Sequence, residues 1–159
     1  MIHRMKTFCS SLLTLAFVNC ISCTLCVSLQ AQDLRVIKGR TLCFQRIADA
    51  SDIYIKGPKD QYKILMPVEN FSGSFKCVLE GGRAIFYKEE GVKPDGTPIK
   101  VVMARTKVNR AFNKVLFYFV PEKQGSKVPY RVIAMDDGLK RFPLGHSRLL
   151  NLSGGEVAF

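Results

Sequence analysis

The chain has 159 residues and a formal charge of +11, with 47% hydrophobic, 10% aromatic and 23% charged residues. A composition this apolar excludes an intrinsically disordered chain, and the length holds one domain rather than two of ordinary size. The meaning of the charge and of the six cysteines depends on how the N-terminal segment is read.

That segment reads as an export signal. Arg4 and Lys6 stand at the start with no acid beside them, and residues 7–29 carry no charge. A basic n-region followed by an apolar h-region and small residues is the pattern of a signal peptide, here with Ala31 before the cut and Ser28 as a second candidate. A competing reading is lipid attachment at Cys23, where a cysteine follows the small residue Ser22 at the end of an apolar run. The leucine usual three residues before such a cysteine is absent. On the first reading residues 1–31 are removed and residues 32–159 form a single extracytoplasmic domain, periplasmic or secreted. Two of the 24 basic residues and none of the 13 acidic ones leave with the signal, so the remaining 128 residues carry +9.

Of the cysteines only Cys43 and Cys77 remain after that cut. In an oxidising compartment they can form one disulfide, and the alternative is two buried free thiols packed as small hydrophobes.

From Asp33 onward, short runs rich in Ile, Val, Phe and Tyr recur about every ten residues between Gly, Pro, Asp and Asn clusters, which predicts strands and leaves no room for a large helix. In chain order they are Leu34–Ile37, Thr41–Ile47, Ile53–Lys56, Tyr62–Pro67, Ser74–Leu79, Ala84–Lys88, Ile99–Arg105, Lys114–Val120, Tyr130–Met135, Ser147–Leu152 and Glu156–Phe159. Gly81-Gly82 and Lys93-Pro94-Asp95-Gly96 predict turns, as do Asp136-Asp137-Gly138 and Ser153-Gly154-Gly155. In the run from Ile99, a period of two sends Ile99, Val101 and Met103 inward and Lys100 outward. Val115 to Val120 is apolar at six consecutive positions, the mark of a central strand covered on both faces. The fold class expected is all-β, an antiparallel β-sandwich of the immunoglobulin-like or cupredoxin-like kind.

Five short stretches carry a resemblance. Tyr130-Arg131-Val132-Ile133-Ala134-Met135-Asp136-Asp137, then Arg141-Phe142-Pro143-Leu144-Gly145 and Arg148-Leu149-Leu150-Asn151-Leu152-Ser153, together with Phe44-Gln45 and Ile53-Tyr54-Ile55-Lys56-Gly57, resemble a group of exported β-sandwich proteins from Verrucomicrobia and related bacteria. The resemblance implies the fold and export. It implies no catalytic residues, because the group has no assigned activity to carry over.

Chemistry-bearing groups are sparse. After the signal the sole histidine is His146, and no His-x-His, His-Glu-x-x-His or Cys-x-x-Cys spacing follows, so neither a metal site nor a cofactor is expected. A constellation of His146 with Asp136 or Asp137 and Ser147 or Ser153 lacks the Gly-x-Ser-x-Gly elbow, and a small secreted hydrolase or carbohydrate-active enzyme is retained as an alternative, as is an envelope assembly or surface-layer subunit that uses unpaired strand edges. The feature that stands out is charge. Lys100, Arg105, Lys107, Arg110 and Lys114 fall within fifteen residues that contain no acid. A basic face of this kind attracts anions through screened Coulomb forces. The function expected is therefore a non-catalytic cell-envelope module that binds a protein or an anionic envelope polymer. Sequence-specific nucleic-acid binding is not expected, since no reading motif is present.

Overall fold

The computed structural model describes residues 34–48, 52–141, 143–147 and 149–152. Eight strands form one mixed sheet: β1 (Leu34–Cys43), β2 (Ile53–Lys56), β3 (Gln61–Ile64), β4 (Phe75–Glu80), β5 (Arg83–Val92), β6 (Pro98–Lys107), β7 (Lys114–Pro121) and β8 (Tyr130–Asp136). No helix long and apolar enough to cross a membrane is present among the described residues. The order across the sheet is β3-β2-β5-β4-β1-β7-β8, and β6 pairs with β5.

The all-β expectation holds. Three points of the strand-level reading are corrected. First, the sheet is not purely antiparallel, because β1 and β7 run parallel, with Gly39 opposite Val115 and Thr41 opposite Phe117. Second, the break expected at Lys38-Gly39-Arg40 does not occur: Leu34–Ile37 runs on through Thr41–Cys43 as the ten-residue β1, and residues 44–47 of the second predicted run are not strand. Gly39 serves packing instead of a turn. A Cβ there would lie 2.8 Å from the Phe117 ring and 3.0 Å from that of Phe75, so only glycine lets both rings close on the β1 backbone. Third, Ser147–Leu152 shows no strand over its described residues, while Glu156–Phe159 and the signal segment lie outside the described residues.

One hydrophobic core occupies the inner face of the sheet. Ile37, Phe75, Cys77, Leu79, Phe86, Phe117, Phe119, Tyr130 and Val132 are among its buried members. Phe86 on β5 meets Phe119 on β7 edge to face at 4.9 Å between centroids, and Phe117 at 5.2 Å. Three strand steps separate β5 from β7, roughly 14 Å in a flat sheet at the usual strand spacing. Ring contact across that distance requires the sheet to bend over its own core. Accordingly β6 lies against β8 without a ladder between them.

The buried polar groups of this core find partners. Thr41 is fully buried; its hydroxyl donates to the Leu65 carbonyl, and its backbone N–H donates to Ser72 Oγ at 2.8 Å. Tyr130, also buried, accepts the Ile47 N–H at 2.7 Å through its phenolic oxygen.

Cys43 and Cys77 are buried free thiols, which corrects the disulfide considered for them. Register gives the reason. Cys77 stands opposite Ile37 on β1, and Cys43 lies six residues further along that strand, about 20 Å away at the rise of an extended chain. A disulfide needs Cα atoms within about 7 Å. Burial pushes the Cys77 thiol up to about 12, and it also raises Cys43.

Candidate basic site on the outer face of the sheet

The β5–β6 hairpin carries the densest part of the basic segment. Its turn forms as the sequence indicates: Gly96 N–H donates to the Lys93 carbonyl at 2.9 Å, and Asp95 Oδ1 accepts the Thr97 N–H at 2.9 Å. That backbone hydrogen bond holds the Asp95 carboxyl below its ordinary range.

Strict alternation along β6 would send Lys100 to one face and Arg105 and Lys107 to the other. The structure puts all three outside, because the register shifts between Phe86 and Tyr87. Phe86 pairs with Ala104 and Tyr87 with Val102, so Met103 is the extra residue of a β-bulge. Met103 and Ala104 are both buried, which reverses the phase of everything beyond them. Inward placement is therefore confirmed for Met103, whereas Ile99 at the strand's start is 40% exposed.

The outer face that results is read from the register: Arg83 opposite Lys107, Ile85 opposite Arg105, Tyr87 opposite Val102, and Glu89 opposite Lys100. Arg83, Arg105, Thr106 and Lys107 line a concavity of about 320 Å³. No ion pair to Arg83, Arg105 or Lys107 occurs among the described residues; Glu80, opposite Arg83 in the β4–β5 ladder, is held by Lys56. The described ion pairs lie elsewhere: Arg40–Asp137, Lys56–Glu80, Lys63–Asp52, Lys88–Glu90 and Arg131–Glu122.

Beside this patch runs a larger cleft of about 480 Å³, floored by Val78, Ile85, Tyr87 and Val102 and rimmed by Lys56, Lys59, Arg83 and Lys100. Its wall is the β2–β3 turn, closed by the Gly57 N–H donating to the Asp60 carbonyl at 2.7 Å. Lys100 is not free in this cleft. Its ammonium sits 4.4 Å over the Tyr87 ring and donates to the Tyr87 oxygen at 3.2 Å. Tyr87 in turn donates to Gln61 Oε1 at 3.0 Å, and Gln61 Nε2 donates to Glu89 Oε1 at 2.9 Å. Lys56 is neutralised by Glu80 at 2.6 Å. Apart from Lys59 on the β2–β3 turn, which has no described ion pair, the unpaired positive charge lies at the Arg83–Arg105–Lys107 end.

The structure disperses the other two predicted basic residues. Arg110 lies in the β6–β7 connection, whose Asn109 and Phe112 carbonyls accept from Arg35. Lys114 opens β7 and stands opposite Lys38 of β1. Arg83 belongs to the cluster but was not singled out in the sequence, since only strand pairing brings it beside residues 105 and 107. The pattern that hinted at it is the Gly81-Gly82 turn, which starts a strand at that arginine.

The alternative hydrolase groups have separate partners. Asp136 Oδ1 accepts the Gly138 N–H at 2.9 Å and shapes the predicted turn. Asp137 takes Arg40 Nη2 at 2.7 Å; Arg40 Nε lies 2.6 Å from its other oxygen, an ion pair whose N–H is not aimed for a hydrogen bond. The His146 ring is exposed, with Nδ1 3.4 Å from the Leu144 carbonyl. Among the described residues, no three His, Cys, Asp or Glu side chains converge as a metal site.

Comparison with protein-family models, with characterised proteins and with solved structures gave no match for this chain.

Proposed function

We propose that the protein is a non-catalytic binding module of the cell envelope that holds an anionic partner, a polymer or an acidic protein surface, at the outer face of β5–β6. One observation carries the reading. Arg83 and Lys107 face each other in register with Arg105 beside them, and no described acid neutralises them. Like charges directly opposite in a ladder destabilise the sheet, so an anion that seats among them gains attraction and relieves repulsion together. The n-region and h-region at the N-terminus and the resemblance to exported proteins support an extracytoplasmic location. The ring contacts of Phe86 with Phe117 and Phe119 favour a sandwich-like closure, β2, β3, β5 and β6 facing β4, β1, β7 and β8.

Chromatography on an immobilised anionic polysaccharide tests the proposal. The wild-type chain is expected to elute well above physiological salt, and the triple variant R83Q/R105Q/K107Q at clearly lower salt. Coincident elution of the two would overturn the site.

A further inference from the structure

A second like-charge row crosses the sheet where the sequence gives no hint of one. Lys38 on β1 stands opposite Lys76 on antiparallel β4 and opposite Lys114 on parallel β7. All three are exposed, and their chain neighbours Ile37, Gly39, Phe75, Cys77 and Val115 are buried, so the ammonium groups share the outer face. At one strand spacing per step the row has a period of about 5 Å and a length of about 10 Å.

No acidic partner is present for any of the three among the described ion pairs. The acid nearest in the row is Asp137, whose N–H donates to the Lys114 carbonyl at 2.9 Å, and its carboxylate is held by Arg40. Lysines commonly guard edge strands against aggregation, but β1 is flanked on both sides, so edge protection does not account for Lys38. Two like-charge oppositions centred on one residue therefore oppose folding without a structural return.

We infer that Lys76, Lys38 and Lys114 form a binding row for a linear acidic polysaccharide that carries one carboxylate per sugar. Such a chain, laid across the strands, repeats its charge at close to the strand spacing and meets one ammonium per ring. The positions two residues along the strands on the same face are Val36, Arg40, Val78 and Leu116; the aromatic rings on this face, Phe71, which the Arg40 guanidinium covers at 4.1 Å from its centroid, and Tyr118 beyond Leu116, lie to one side of the lysines, so no run of rings follows the row for successive bases to stack on. The row itself is a series of point charges, which suits a polymer bound by charge spacing. The inference extends the anion-binding reading to a second surface and does not depend on the β5–β6 patch.

The test is binding of oligouronates of defined length to the full chain, followed by calorimetry at fixed ionic strength. Affinity is expected to rise steeply up to three sugars and slowly beyond. K38Q should weaken binding about tenfold or more, since Lys38 flanks both neighbours, and K38Q/K76Q/K114Q should abolish it. Surface lysines tolerate glutamine, and a thermal melt of each variant confirms folding. The control K123Q/K127Q/K140Q removes equal charge elsewhere; an equal loss there would show diffuse electrostatics and overturn the row. Inorganic phosphate binding as tightly as the trimer would overturn the polymer assignment. So would loss of anionic-vesicle binding in the K38Q triple with oligouronate affinity unchanged. If only R83Q/R105Q/K107Q weakens binding, the row falls and the β5–β6 site stands; if neither triple does, both fall.

Discussion

Arg83 and Lys107 stand directly opposite one another on the outer face of the β5–β6 ladder, and the residue that places them there is Met103, four positions before the lysine and buried in the core. Packing on the inner face and charge on the outer face are thereby set by one extra residue.

Replacing Lys107 by glutamine removes one member of an opposed like-charge pair and leaves the Glu80–Arg83 opposition across the β4–β5 turn in place. The isolated protein is expected to become more stable by roughly 0.2–1 kcal/mol, the range for a cross-strand pair, while polyanion binding weakens. Thermal melts at low and high salt check the sign: the gain should shrink as salt screens the repulsion.

Deleting Met103 removes the bulge and shifts one half of β6 by a residue. Either Arg105 and Lys107 then turn toward the core beside Phe86, or Lys100 and Val102 do, since a one-residue slip exchanges the faces. The deletion is expected to prevent cooperative folding, whereas Met103→Leu, which keeps residue count and volume, should cost less than about 1.5 kcal/mol. Urea unfolding followed by circular dichroism distinguishes the two.

Gly39→Ala places a methyl carbon within 2.8 Å of the Phe117 ring and 3.0 Å of the Phe75 ring. The rings are stacked on each other at 6.5 Å between centroids, with Phe117 fully buried, so neither can give way without moving the core. A loss of about 1–3 kcal/mol is expected, the cost of overpacking, read as a lower urea midpoint at an unchanged slope.

Cys77 gives a pH dependence on the alkaline side. Its pKa rises on folding from 9.0 to about 12 through burial, so the folded state holds its proton where the unfolded chain has released it. The contribution is present in full below pH 9 and is lost as pH climbs toward 12. Melting temperatures of wild type and Cys77→Val should therefore run parallel up to pH 8 and converge above it as the wild type loses stability. A thiol reagent at pH 8 should label the native protein far more slowly than the unfolded one.

Much of the architecture was legible because its causes are local. Gly81-Gly82 takes up the positive φ angles of 57° and 73° that a tight β4–β5 turn requires, and Lys93-Pro94-Asp95-Gly96 closes the next hairpin. The uninterrupted apolar run at Val115 to Val120 became a strand with Val115, Leu116, Phe117, Phe119 and Val120 all buried. The candidate site was only half legible. Proximity in sequence grouped Lys100, Arg105, Lys107, Arg110 and Lys114, yet the fold splits them, because neighbours on a chain become neighbours on a face only through strand register.

Composition, periodicity and turn chemistry by themselves determined an all-β chain with a basic bias and few groups fit for catalysis, since each of these depends on residues close in sequence. Only the tertiary structure decided that Cys43 and Cys77 stay apart, that a bulge at Met103 brings Lys100, Arg105 and Lys107 to one face, and that Lys38 lies between Lys76 and Lys114. These are consequences of pairing between strands distant in sequence. A single register shift reverses a face, and no pattern within one strand records what its partners will set opposite it.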